Sequence, residues 1–152
     1  MSEVRDPLYK KALLRLAADA AGAGRLRHPD ASATMSNPAC GDRVTVEVAI
    51  KDGRVAALAH DTHACILTQA SAALLAGAAP GMDRAALAAL EAGVAAMLKE
   101  GAPPPLPAYA AFGAAAALSA RHVCVMLPFM ALNRALELAE PGGERTEIQS
   151  RG

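Results

Sequence analysis

The sequence predicts an α+β fold: a small antiparallel β-hairpin, about residues 43–61, packed with several α-helices. Three observations carry this. Residues 43–50 alternate between apolar and polar, with Val44, Val46, Val48 and Ile50 on one side and Arg43, Thr45, Glu47 and Ala49 on the other, as in a half-buried strand. Elsewhere apolar residues recur at helical spacing in several segments bounded by Gly and Pro. Finally, 53% of the 152 residues are hydrophobic but 39 are alanine. Alanine loses no side-chain entropy in a helix, whereas Val, Ile, Thr and aromatics are too scarce for a large β-sandwich. The length suits one domain, assigned to residues 1–143. Pro141-Gly142-Gly143 closes it, and a polar tail, 144–152, is expected to be mobile.

Asp6-Pro7 opens the first helix, with Asp as N-cap and Pro at the first helical position. Tyr9, Leu13 and Leu16 form its apolar stripe, and Gly22 and Gly24 end it. Residues 25–38 are polar and read as a loop. After the strand, Lys51-Asp52-Gly53-Arg54 carries the Asp-Gly signal of a two-residue hairpin, which makes 54–61 the partner strand. The pattern turns helical from Cys65 to Ala76, up to Gly77. Asp83 caps a further helix with Leu87, Leu90, Val94, Met97 and Leu98 on one face, stopped by Gly101 and Pro103-Pro104-Pro105. Residues 106–120 read as a short helix or turn. The last helix is expected from Cys124 to Glu140, with Pro128 in its first turn, where a missing N–H costs little.

Several function classes are disfavoured. Lys+Arg and Asp+Glu are both 15, and only four residues are aromatic, none of them Trp. A stacking-based nucleic-acid binder needs aromatic platforms and a basic groove. The N-terminus lacks the apolar core of a signal peptide, and the Ala-rich stretch 108–120 is too short to span a bilayer. The expectation is a cytoplasmic protein with neither membrane nor nucleic acid as partner. Three cysteines, an odd number, argue against a disulfide framework.

Those cysteines fall at element edges. Cys40 precedes the first strand, Cys65 joins the second strand to a helix, and Cys124 opens the last helix. A buried small hydrophobe is the bland alternative for each. At two of them a helix N-terminus is expected to lower the thiol pKa and favour the thiolate, which is both nucleophile and metal ligand. Gly41 allows a close backbone approach or a positive φ. Asp42 can add a carboxylate to the same centre, or act as a turn-former bonded to its own backbone. Three thiolates and one carboxylate suit Zn²⁺, and three thiolates also suit an iron–sulfur cluster.

The motif Asn37-Pro38-Ala39-Cys40-Gly41-Asp42, a hairpin, Cys65 opening a helix with small residues (Thr68, Ala70, Ser71, Ala72), and Cys124 opening the last helix together resemble the U-type iron–sulfur cluster scaffold family. That family comprises IscU, SufU and the N-terminal domain of NifU. The resemblance spans roughly residues 6–140. It implies a SufE/NifU-like α+β fold in which Cys40, Asp42, Cys65 and Cys124 gather at one solvent-facing end. It further implies sulfur acceptance from a cysteine desulfurase persulfide, with Cys124 as acceptor, and a transient [2Fe–2S] cluster or Zn²⁺ held by the four residues. Asp42 would keep the cluster labile, and downstream iron–sulfur carriers or apo-proteins would receive it. The role is that of a scaffold; if enzymatic, a zinc-dependent sulfurtransferase. Val123 stands where the IscU branch has a His ligand, and 58 residues separate Cys65 from Cys124, more than that branch uses. Both features resemble the SufU branch. Ala64 departs from the Gly that commonly precedes the second cysteine.

His60 and His63 flank Cys65 and either approach the metal or are surface residues at a strand end. His122 and Val123 point in different directions on a helix start, so His122 is not taken as a ligand. A structural zinc-binding interaction domain without sulfur transfer is the alternative reading. A thiol redox protein is weaker, because there is no Cys-x-x-Cys pair.

Overall fold

The computed structural model describes residues 7–39 and 41–139. The expected Asp6 cap, Cys40 and the 144–152 tail lie outside the described residues. The elements run α1 (Pro7–Asp19), β1 (Ala31–Asn37), β2 (Asp42–Lys51), β3 (Arg54–His63), α2 (Ile66–Ala78), α3 (Arg84–Glu100), two 3₁₀ stretches (Pro107–Ala117 and Ser119–Arg121) and α4 (His122–Ala139).

The sheet has three antiparallel strands in the order β1-β2-β3. The β2–β3 hairpin turns on Asp52 (φ 55°) and Gly53 (φ 75°), the pair of positive φ angles that a type I′ turn needs. The expected loop over 25–38 is corrected: Ala31–Asn37 is a strand, paired with β2 from Ala31↔Val48 to Asn37↔Asp42. Its inward residues are Ala31, Ala33 and Met35. Two alanines give little apolar contrast against Ser32, Thr34 and Ser36, so pairing with the Val-rich β2 decides the conformation.

Val44, Val46 and Val48 are fully buried under α4, which packs on β1 and β2, while α2 packs on β3 and α4. The free edge of β3 is covered by residues 22–24. Gly24 N–H donates to the His60 carbonyl and His60 N–H to the Gly22 carbonyl, both at 2.9 Å. Gly22 has φ 79°, and a Cβ there would lie 2.4 Å from Ala76 Cβ. Only glycine allows this approach between the α1 exit and α2.

Asp83 caps α3 by accepting from Ala86 N–H at 2.8 Å, and Gly101 (φ 73°) ends it. The proline run then folds back, with Pro105 seated against Gly93 of α3. The segment expected as a short helix or turn is 3₁₀-helical and buries Tyr109 and Phe112, whose rings pack 5.9 Å apart beside Phe129.

Residues Ser119–Ala139 are long and apolar enough to cross a membrane. Here Val125, Leu127, Phe129, Ala131, Leu132 and Ala135 are buried in the core, which is the part an apolar core helix plays. The start of α4 differs from expectation. The helix begins at His122, so Pro128 lies in its interior, not its first turn. The 3₁₀ turn just before it extends the helical path towards the N-terminus.

Candidate metal centre

Three elements deliver three side chains to one point. Asp42 is the first residue of β2, Cys65 is the N-cap of α2, and Cys124 is the third residue of α4. One ligand atom from each lies within 4.8 Å of the other two. Around a tetrahedral Zn²⁺ with bonds of ~2.3 Å, ligand atoms stand ~3.8 Å apart. The trio needs only about an ångström of contraction to hold such an ion. Cys40, which the chain places two residues before Asp42, lies outside the described residues.

Each position has a local cause. Gly41 has φ 75°, and a Cβ there would meet nothing within 4 Å. Its use is the left-handed backbone that turns the chain into β2, not a close approach. Asn37 is the turn-former of the loop, its Oδ1 accepting from Ala39 N–H at 3.2 Å. Asp42, the other candidate for that task, reaches across to α2 and is only 4% exposed. Its Oδ1 accepts from Cys65 N–H at 3.2 Å, satisfying a donor at the helix start. Its Oδ2 lies 3.7 Å from Cys65 Sγ and 3.3 Å from Thr68 Oγ1. Ala64 directs its carbonyl to Gln69 Nε2 at 2.7 Å, which fixes the entry to α2.

Cys124 is 2% exposed, whereas Cys65 is half-buried and Arg121 is exposed beside them. The centre is thus reached from the Cys65 side. The expectation that the helix start lowers the thiol pKa fails for Cys124. Burial pushes this thiol up to about 11, and the neighbouring Cys65 and Asp42 push the same way, while a hydrogen bond with Arg121 opposes them. Desolvation outweighs the helix-end field because the side chain is turned towards Asp42 and Cys65 and shielded from water. A cation at the centre would offset that cost by binding the thiolate.

The histidines stand apart from this trio. His60 is buried, with Nε2 2.9 Å from the Ala21 carbonyl and Nδ1 2.9 Å from Thr62 Oγ1. It ties the α1 exit to β3, and burial lowers its pKa despite the Ala21 bond and Asp61. His63 lies 3.2 Å from Asp61 on the surface. His122 bonds the Ala116 carbonyl at 3.0 Å. Two residues at the centre escape sequence reasoning. Arg121 sits one turn before Cys124 and carries no motif. Thr68 reads only as a small residue on a helix, and the signal that could have exposed it is Pro128 on the helix opposite.

Comparison with known proteins identifies the family. The family described as NifU-like N terminal domain matches residues 8–120, which include Asp42 and Cys65 but stop before Cys124. No curated protein matches the sequence. Among solved structures, the N-terminal part of a nitrogen-fixing NifU-like protein from Brucella abortus is 32% identical, with a TM-score of 0.82 over 92% of this chain and 99% of that one. A Fervidobacterium islandicum AW-1 protein, described as an iron–sulfur cluster assembly scaffold for the SUF system, shares the fold. It is 18% identical, with a TM-score of 0.75 over 83% of this chain and 94% of that one. By the extent of the family match and by this likeness, the chain belongs to the NifU-like N-terminal domain family.

Proposed function

We propose that this protein accepts persulfide sulfur from a cysteine desulfurase and carries a transient [2Fe–2S] cluster or a zinc ion at Cys40, Asp42, Cys65 and Cys124. The observation that carries the reading is the convergence of Asp42, Cys65 and Cys124 from three separate elements to within 4.8 Å, in a chain of the NifU-like family. Thiolates are the soft ligands that zinc and iron–sulfur clusters select. One carboxylate among them gives a harder, weaker contact. This is consistent with a cluster that is held and then passed to a downstream carrier or apo-protein.

The sulfur step is thiol exchange. The Cys124 thiolate attacks the outer sulfur of the desulfurase persulfide. The new S–S bond forms on Cys124, the old one breaks, and the desulfurase cysteine leaves as a thiolate. The persulfide proton travels with the transferred sulfur, so charge and atoms balance without an oxidant. The thiol proton of Cys124 has to leave first. Zinc held by Asp42, Cys65 and Cys124 would supply the positive charge that favours thiolate at this buried position. Val123 and the long Cys65–Cys124 spacing resemble the SufU branch and so favour a zinc-dependent form of this role.

The test is transfer of ³⁵S from labelled cysteine through a desulfurase. Wild type should acquire label that a thiol reductant releases. Cys124→Ser should acquire none while keeping its circular dichroism. Full labelling of Cys124→Ser would remove Cys124 as the acceptor.

A further inference from the structure

In a regular helix the N–H of residue 128 would bond the carbonyl of Cys124, four residues back. Pro128 has no N–H and sits inside α4. The freed Cys124 carbonyl is met from α2 instead: Thr68 Oγ1 donates to it at 2.9 Å. Three residues on, Ser71 Oγ donates to the Val125 carbonyl at 2.6 Å. Both hydroxyls are fully buried. Thr68 differs from Ser71 in what else it touches. Its Oγ1 lies 3.3 Å from Asp42 Oδ2 and 3.5 Å from Cys65 Sγ. One side chain therefore meets all three ligand residues.

We infer that Thr68 is a positioning residue of the metal centre, its hydroxyl fixing the Asp42 carboxylate as well as the Cys124 backbone. The inference rests on the metal-centre reading of Asp42, Cys65 and Cys124. A hydroxyl has one proton and two lone pairs. Asp42 Oδ2 and the Cys124 carbonyl compete for that proton, while in the metal-free centre Cys65 S–H can donate to a lone pair. Losing the hydroxyl would leave Asp42 free to turn and the Cys124 carbonyl without a donor. Outer-shell partners of this kind typically contribute 10–100-fold in metal affinity.

The structure also separates the two tasks. Ser71 performs the backbone task alone, and Pro128→Ala would return a helical N–H to the Cys124 carbonyl. Zinc affinity, read by competition with a chromophoric chelator, and metal-free thermal stability are measured for each variant. Thr68→Val should bind zinc about 10–100-fold more weakly, and Thr68→Ser should bind like wild type. Ser71→Ala should lose thermal stability yet keep its zinc affinity. Thr68→Val combined with Pro128→Ala should recover stability but not affinity, and it serves in place of Thr68→Val if that variant does not fold. In an Asp42→Ala background the Thr68→Val effect on zinc should largely vanish. The inference is overturned if Ser71→Ala weakens zinc as much as Thr68→Val, or if the Pro128→Ala combination restores affinity together with stability. Failure of wild type itself to bind either zinc or a reconstituted [2Fe–2S] cluster would overturn the metal centre, whereas unchanged zinc binding by Thr68→Val would overturn only the role of Thr68.

Discussion

Zinc binding should expel the proton of Cys124, and the pH dependence of zinc affinity measures this. The Cys124 thiol is pushed up to about 11 by burial first, then by Cys65 and Asp42, against the bond with Arg121. At pH 7 such a thiol is ionised in about one molecule in 10⁴. The metal binds the thiolate, so protons compete with it. Raising the pH removes the competitor, and affinity increases with pH. From pH 6 to 9, below the thiol pKa, Cys124 alone should contribute about tenfold in affinity per pH unit. The assay is chelator competition at pH 6.5, 7.5 and 8.5, with calorimetry in two buffers of different ionisation enthalpy to count released protons. Cys124→Ser should lower the slope of log affinity against pH by about one and release one proton fewer. An unchanged slope and proton count in that variant would refute the claim that zinc displaces this proton.

Three further outcomes are expected. Gly22→Ala places a Cβ 2.4 Å from Ala76 Cβ at φ 79°. It should cost about 1–2 kcal/mol for left-handed backbone plus about 1–3 kcal/mol for overpacking; an unshifted urea midpoint would contradict that close approach. His60 has a pKa lowered from 6.5 by burial, so its contribution to stability is complete above pH 6.5 and is lost as pH falls through its folded value. Wild type should therefore lose more stability than His60→Gln between pH 7.5 and 5.5, and parallel urea curves would count against it. Chelation should remove metal while leaving most helical circular dichroism, because the buried cluster runs through β2, α2, α3 and α4 away from the centre. Loss of the helical signal would favour the structural zinc domain instead.

The hairpin, the small-residue α2 and the Asp83-capped α3 were legible in the sequence because each is set by local chemistry: alternation, an Asp-Gly pair, a capping aspartate. β1 was not, since its inward residues are mainly alanine and its conformation comes from pairing with β2. The gathering of Asp42, Cys65 and Cys124 was expected from motif order and resemblance, and the structure brings those three together. What escaped lies in interactions between distant residues. The Cys124 pKa depends on how deeply α4 is buried. Thr68 depends on Pro128, 60 positions along the chain, leaving a carbonyl without its donor. Neither relation has a local sequence pattern.

Asp42, Cys65 and Cys124, together with Cys40, are proposed to hold one metal centre. X-ray absorption at the zinc K-edge of the zinc-loaded protein tests it most directly. The spectrum should show three sulfur ligands at ~2.3 Å and one oxygen at ~2.0–2.2 Å, with one sulfur lost in each of Cys65→Ser and Cys124→Ser. A shell of nitrogen and oxygen alone, or one unaltered by those substitutions, would contradict it.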